Sequence, residues 1–147
     1  MITVREAVNE DIGAILKTET ESFSDPWSES AFAFAINDSS LTTVVAVDSD
    51  ADTVVGFAVW SVIVPESELC DIAISPEYRR RGAGEALMKS YIDSALGQGV
   101  TDFFLEVRQS NLPAASLYKK HGFAACGRRK NYYSHPTEDA IIMTKKV

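Results

Sequence analysis

The sequence predicts a mixed α/β (α+β) fold: one domain over residues 1–147, with a mixed central sheet of about six or seven strands flanked by about four helices. The 147 residues suit one domain, and a chain of this size buries about 70% of its unfolded surface without disulfides or metals. A composition of 46% hydrophobic and 24% charged residues is that of a globular protein and excludes a disordered, collagenous or coiled-coil chain. The hydrophobic pattern is strand-like and hairpin-rich in the first half, and alternates strand with helix after Pro76.

Ile2 to Arg5 reads as a first strand. Asn9, followed by Glu10 and Asp11, is a helix N-cap with charges suited to the positive end of the dipole. The apolar positions Ile12, Ile15, Leu16 and Phe23 continue at helical spacing until Asp25-Pro26 stops them, and a second helix spans about Ser28 to Asn37. Thr42 to Val47 and Thr53 to Val64 are rich in Val and Thr around a turn-forming stretch from Asp48 to Asp52, and so form a hairpin. Glu68 to Ile74 is the next strand. Ala83, Leu87, Met88, Tyr91, Ile92, Ala95 and Leu96 form the stripe of an amphipathic helix that ends at Gly97 and Gly99. Phe103 to Val107 is a strand, and Asn111 caps a helix that tolerates Pro113 in its first turn and closes at Gly122. Ala124 to Arg129 and Ala140 to Thr144 are the last two strands, joined by a polar and aromatic segment.

Several function classes fall away. A formal charge of -7 lacks the basic face that general nucleic-acid binding needs, and favours a basic partner. The N-terminal segment has no apolar core of a secretion signal, and the apolar run from Val54 to Val64 has eleven residues where a membrane helix needs about 20. A cytoplasmic protein that binds no membrane is expected. Cys70 and Cys126 are far apart, with no C-x-x-C pair or His cluster, so they read as two buried thiols and no metal site is expected.

The most informative segment is Ile72-Ala-Ile-Ser-Pro-Glu-Tyr-Arg-Arg-Arg-Gly-Ala-Gly84: a strand end, an arginine-rich turn, then glycines opening a helix. Unpaired N–H groups at a helix start, approachable beside glycine and backed by the dipole, suit a pyrophosphate. A solvated basic loop is the plainer alternative. A P-loop is excluded because no lysine follows Gly84, and a dinucleotide fingerprint fails because Leu87 stands where its third glycine belongs.

Arg79-Arg80-Arg81-Gly82-Ala83-Gly84 resembles the R/Q-x-x-G-x-G/A signature of the GNAT superfamily of N-acetyltransferases, and the order of elements is similar over essentially the whole chain. Leu105-Glu-Val-Arg-Gln-Ser-Asn111, Leu117-Tyr118, Gly122-Phe123, Asn131-Tyr-Tyr133 and the stretch from Glu138 to Met143 look more narrowly like the RimI family, which acetylates the N-terminal alanine of a ribosomal protein. Phe23-Ser-Asp-Pro-Trp-Ser-Glu29 resembles that family's Phe-Pro-Trp-Ser-Glu stretch, with Ser24 and Asp25 as two extra residues near the presumed acceptor entrance.

The resemblance implies a GNAT-like sheet with a splayed strand pair, acetyl-CoA as co-substrate, no metal, and the N-terminal peptide of a basic ribosomal protein as acceptor. It assigns the pantetheine arm and thioester to Ile72, Ala73 and Ile74, and the pyrophosphate to Arg79, Arg80, Arg81, Gly82, Ala83, Gly84 and Glu85. It makes Glu106 the general base and Tyr118 the general acid; Asn111 and Tyr118 also contact the cofactor, and Trp27, Tyr132 and Tyr133 line the acceptor cleft. A free α-amine, with a pKa of about 7.7 to 8, needs only a modest base.

Each residue also has a plainer role. Glu106 alternates with Phe104 and Arg108 and suits a solvent-facing charge; Tyr118, two helical turns beyond Asn111, suits a core tyrosine; Asn111 suits a cap; and the three aromatics suit packing at the sheet margin. His121 reads as a favourable charge at a helix C-terminus and His135 as a loop residue. The rival functions are a broader Nα- or small-amine acetyltransferase, a non-catalytic acyl-CoA-binding module with no need of Glu106 and Tyr118, and a nicotinamide-dependent oxidoreductase. Direct attack in a ternary complex is expected, since neither cysteine has the surroundings of an activated thiolate.

Overall fold

β-branched side chains pack well on a pleated surface, and the two Val- and Thr-rich stretches become the long central strands β2 (Leu41–Asp48) and β3 (Thr53–Ile63). In the computed structural model, which describes all 147 residues, five further strands join them. These are β1 (Ile2–Glu6), β4 (Glu66–Ile74), β5 (Asp102–Arg108), β6 (Ala124–Tyr133) and β7 (Glu138–Lys146), and the single sheet runs β1-β2-β3-β4-β5-β7-β6. Every neighbouring pair is antiparallel except β4 with β5, whose parallel pairing requires a crossover. The helices are α1 (Ile12–Ser22), α2 (Glu29–Asn37), α3 (Ala83–Gly97) and α4 (Leu112–Lys120), and α3 provides that crossover.

Helices on both faces explain why the middle of β2 and β3 is buried residue after residue instead of alternately. On one side, α1 and α2 enclose Ile15, Phe32, Val45, Phe57, Val59 and Ala73. On the other, α3 and α4 bury a larger core around Trp60, Leu87, Tyr91, Phe103, Leu105, Tyr118 and Phe123.

The feature of the sheet that sets up a site is where it comes apart. β4 pairs with β5 only from Glu66 to Glu68, against Asp102 to Phe104. Just beyond, the register of β4 against β3 slips: Leu69 faces Trp60 and Asp71 faces Val59, with Cys70 as the extra residue. A bulge bends a strand and increases its twist, and from this point β4 follows β3 and leaves β5. The predicted splayed pair is therefore present as a fork with its apex at Glu68 and Phe104.

Some expectations need correction. Asn9 does not cap α1. Asn9–Asp11 forms a short 3-10 turn, Asp11 accepts the Val8 N–H at 2.8 Å, and Asn9 instead accepts a hydrogen bond from Asn37. Phe23 lies just beyond α1, and Leu96 is turned outward because the buried stripe of α3 ends at Ala95. The last two strands run longer than expected, through Tyr133 and from Glu138, since β-pairing continues close to the turn. Cys126 is exposed, because it sits on the outermost strand, almost every residue of which faces solvent; Cys70 is only half-buried. No helix is long and apolar enough to cross a membrane.

Asp11 also accepts two hydrogen bonds from Arg5, at 2.8 and 3.0 Å, tying β1 to the start of α1. These bonds hold its carboxyl below the usual carboxylate range. A depressed folded-state pKa contributes stability that is present above that range and is lost as the pH falls through the folded value. Asp11→Ala should lower the unfolding free energy by about 2 kcal/mol at about pH 7, through loss of the turn-closing acceptor and of a charged partner. Urea unfolding at about pH 7 and again near pH 3 tests this; a deficit that does not shrink at the lower pH would refute the electrostatic part.

Candidate active site

The fork supplies the first element of the site. Beyond Glu68 the edge of β4 that faces β5 has no strand partner, so the backbone of Leu69–Ile74 on that side is free to hold an extended ligand. Ile72 and Ile74 turn their backbone groups to this edge, where Ile74 O accepts from Arg79, while Ala73, opposite Phe57, turns its own toward β3.

The second element follows directly after β4. Gly82, with φ at 88°, is the N-cap of α3 and adopts a left-handed conformation that other residues rarely reach. The first helical hydrogen bond is Ala86 N–H to Gly82 O, which leaves the N–H groups of Ala83, Gly84 and Glu85 for an anion. A Cβ on Gly84 would stand 3.1 Å from Leu117 Cδ2, so glycine there lets α3 and α4 approach closely. Beside them lies a groove of about 500 Å³ whose lining includes Arg80, Pro113, Ser116, Leu117 and Lys120.

The side chains of this turn divide into two groups. Arg79 is turned back, donating to Ile74 O at 3.2 Å and to Ser22 Oγ at 3.3 Å, so its guanidinium braces α1 against the end of β4. Arg81 stacks over Tyr78 with 5.1 Å to the ring centroid. Glu85 is held by Lys120 at 2.7 Å and His121 at 2.8 Å, and these hydrogen bonds, that of Lys120 foremost, lower its carboxyl pKa. His121 therefore has a specific partner. The Asn111 side chain accepts the Ala114 N–H at 3.3 Å, confirming it as the cap of α4.

Glu106 and Tyr118 reach the fork from different elements. Phe103, Leu105 and Val107 point into the core under α3 and α4, so alternation sends Glu106 to the opposite face of β5. It is not the freely solvated charge that alternation alone also allowed. Its side chain is 15% exposed, Arg129 Nε lies 3.1 Å from Oε2, and the poor geometry of that contact leaves the buried Oε2 without a hydrogen bond. Tyr118 is buried on α4 and packs edge-on against Phe123 at 6.2 Å. Burial, reinforced by the charges of Asp71 and Tyr133, raises its hydroxyl pKa far above the ordinary tyrosine value.

Near Glu106, the α1–α2 connection meets the β6–β7 turn. Trp27 packs on Phe32 with ring centroids 5.3 Å apart; Tyr132 is exposed under Arg129, and Tyr133 lies beneath Arg108 at 4.6 Å. Burial and the Glu106 charge push the Tyr133 hydroxyl up to about 12. Arg108 binds Ser134 O at 2.6 Å, Pro136 O at 3.0 Å and Glu138 at 3.2 Å, and reaches Ser24 Oγ across the cleft at 3.4 Å. Asp25 meets His135 at 2.9 Å. Ser24 and Asp25 thus join the α1–α2 connection to β5 and the β6–β7 turn.

Sequence reasoning missed Glu19, Glu68, Asp71 and Arg129. Glu19 carried a signal, since it continues the apolar stripe of Ile12 and Ile15 on α1, and it is 1% exposed. One of its oxygens accepts the Trp27 N–H at 2.9 Å. Its carboxyl also meets Asp71, and burial followed by the hydrogen bond to Glu19 raises the Asp71 pKa well above the carboxylate range. Glu19 Oε1 and Asp71 Oδ2 are buried without another hydrogen-bond partner, so a proton on Asp71 directed at Glu19 would satisfy the pair. An acid whose folded pKa is raised loses stability as pH climbs from its unfolded value toward the folded one. Asp71→Asn, which keeps a donor toward Glu19 without needing that proton, should gain stability relative to the parent as pH rises above about 4. Thermal melts from about pH 4 to pH 8 test this, and a constant difference across the range would sink the shared-proton account.

The acetyltransferase (GNAT) family matches residues 10–123. The "[Ribosomal protein bS18]-alanine N-acetyltransferase" of Escherichia coli (strain K12) is 36% identical over 147 residues, covering 97% of this chain and 96% of the relative. The crystal structure of the ribosomal-protein-S18-alanine N-acetyltransferase from Escherichia coli superposes with a TM-score of 0.90 at 34% identity, covering 100% of this chain and 94% of the other. That of Ard1 from Thermoplasma volcanium gives 0.89 at 29% identity, covering 99% and 97%. The family match over most of the chain and the likeness in overall fold place the chain in the GNAT family as an N-acetyltransferase.

Proposed function

We propose that the protein transfers the acetyl group of acetyl-CoA to the N-terminal α-amine of a ribosomal protein, with alanine as the first residue, by direct attack in a ternary complex. The observation that carries this reading is the fork, with an anion site at the end of one strand and a half-buried carboxylate on the other. The relatives named as bS18-alanine N-acetyltransferases support the acceptor class. The residues fit acetyl-CoA part by part: free β4 backbone at Ile72 and Ile74 for the pantetheine arm, N–H groups from Arg79 to Glu85 for the pyrophosphate, and Arg80 and Lys120 beside the groove for further phosphate charge.

The chemistry divides between the two faces of β5. Glu106 removes a proton from the α-ammonium, directly or through a water, and an amine of pKa about 8 asks little of a carboxylate. The neutral nitrogen attacks the thioester carbonyl; the C–N bond forms and the C–S bond breaks, the nitrogen's second proton replaces the one that Tyr118 gives to the leaving sulfur, and the products are amide, thiol and the proton held by Glu106. Tyr118 sits on the cofactor side. Because burial raises its pKa, it acts first as a hydrogen-bond donor to the charge developing on sulfur, and the proton follows as the thiol forms. Burial pushes the Cys70 thiol up to about 11, which leaves it a poor nucleophile and disfavours an acetyl-cysteine route. Trp27, Tyr132 and Tyr133 line the acceptor path, and a chain of charge -7 suits a basic acceptor.

Glu106→Gln and Tyr118→Phe should each lower kcat by about 10²-fold while leaving acetyl-CoA binding nearly unchanged. Parent-level turnover in both variants would remove these roles. The acceptor class is tested with two peptides, one beginning Ala-Arg and a twin whose N-terminus is blocked but whose internal lysine is free. Only the open N-terminus should be acetylated; acetylation of the lysine twin would move the protein to another acceptor class, and turnover of neither would favour a binding module.

A further inference from the structure

Glu68 is a second carboxylate at the fork, with no part in the transfer chemistry above. It is the last residue of β4 to pair with β5, directly across from Phe104. Directly opposed residues share a face, and so do residues two apart on a strand. Glu106, two beyond Phe104, therefore lies on the same face as Glu68, one step above the apex. The two carboxylates flank the apex from its two strands. They also sense each other: after burial, the Glu106 charge is what raises the Glu68 carboxyl, and Arg129 offsets it.

Arg129 is the resident cation of this pair, and it is poorly matched. Its Nε stands 3.1 Å from Glu106 Oε2 without hydrogen-bond geometry, leaving that buried oxygen unsatisfied. The guanidinium extends from the outer strand β6, its side chain is 56% exposed, and beyond Glu106 it rests on the exposed ring of Tyr132 at 5.8 Å. A planar guanidinium presents donors in a fixed fork, whereas an ammonium is compact and turns three donors freely.

We propose that Glu68 is an acceptor-binding residue which, together with Glu106, receives the α-ammonium of the incoming N-terminus in exchange for the Arg129 guanidinium. The exchange conserves charge, with two carboxylates and one cation before and after. It supplies the donor that Glu106 Oε2 lacks, and it places the nitrogen at the apex, where Glu106 takes its proton and the neutral amine faces the thioester. Arg129 then acts as a placeholder that prevents two carboxylates from facing each other bare in the free enzyme. The inference rests on the Nα-acetyltransfer reading.

The test is steady-state kinetics at saturating acetyl-CoA on the Ala-Arg peptide, with a second peptide bearing a hydroxyl in place of the α-amine as a competitive inhibitor. Glu68→Gln should raise the acceptor KM by about tenfold and affect kcat less, since a charge-assisted contact to a partly exposed group is lost. The KM for acetyl-CoA and the inhibition constant of the hydroxyl peptide should stay at parent values, which separates ammonium recognition from structural damage. Glu68→Asp, keeping the charge, should recover most of the loss. Arg129→Ala should lower the acceptor KM severalfold and make the enzyme more sensitive to competition by added guanidinium ion. An acceptor KM within twofold of the parent in Glu68→Gln, equal weakening of both peptides, or a raised KM in Arg129→Ala would overturn the proposal. No turnover of the Ala-Arg peptide by the parent enzyme sinks the Nα reading and this inference with it, whereas turnover with an unmoved KM in Glu68→Gln sinks this inference alone.

Discussion

The separation of β4 from β5 is the constraint on which the site depends. Three residues of parallel pairing anchor the two strands, and the bulge at Cys70 then turns β4 toward β3. A continuous ladder would have consumed the backbone groups that a pantetheine arm needs. The same separation leaves Glu68 and Glu106 on opposite prongs, and it brings the end of β4 to the start of α3 at Gly82. Donor geometry and acceptor geometry therefore follow from one departure from regular sheet structure.

Charge is sorted across that fork. On the donor side, unpaired N–H groups open α3, Arg80 and Lys120 line the groove, and the Glu85 carboxylate is paired with Lys120 and hydrogen-bonded to His121. On the acceptor side, Glu68, Glu106, Asp71, Glu19 and Glu138 outnumber their cations, chiefly Arg108 and Arg129. Such an arrangement favours a phosphate-bearing ligand from one side and a cationic chain end from the other. Buried acids are tolerated on the acceptor side because each has a specific remedy: a shared proton for Asp71, bonds to Arg108 and the Ser110 N–H for Glu138, and the Arg129 ion pair for Glu106.

Much of this was legible in the residues. Strand and helix order followed from hydrophobic period, and Asn111, Gly82 and Gly122 marked real helix ends. The glycines of Arg79 through Gly84 marked the start of α3, with its unpaired N–H groups. The errors share a cause. Asn9 looked like a cap, but the turn placed Asp11 where the Val8 N–H could reach it. Cys126 looked buried by composition, yet it lies on an outer strand that nothing covers. Leu96 looked like part of the buried stripe of α3, yet that stripe ends at Ala95 and Leu96 is turned outward.

The sequence by itself determined what is local: periodicity, capping, turn chemistry and the backbone permissiveness of glycine all act within a few residues, and they specify the elements and the helix-start anion site. Only the tertiary structure decided which charges meet. Glu68 with Glu106 and Arg129, Glu19 with Asp71, and Glu85 with His121 are separated by tens of residues along the chain, and each pair is neighbourly only because sheet order, the Cys70 bulge and helix packing bring their elements together. Coulomb and desolvation energies depend on distance and burial, which no single residue's identity contains.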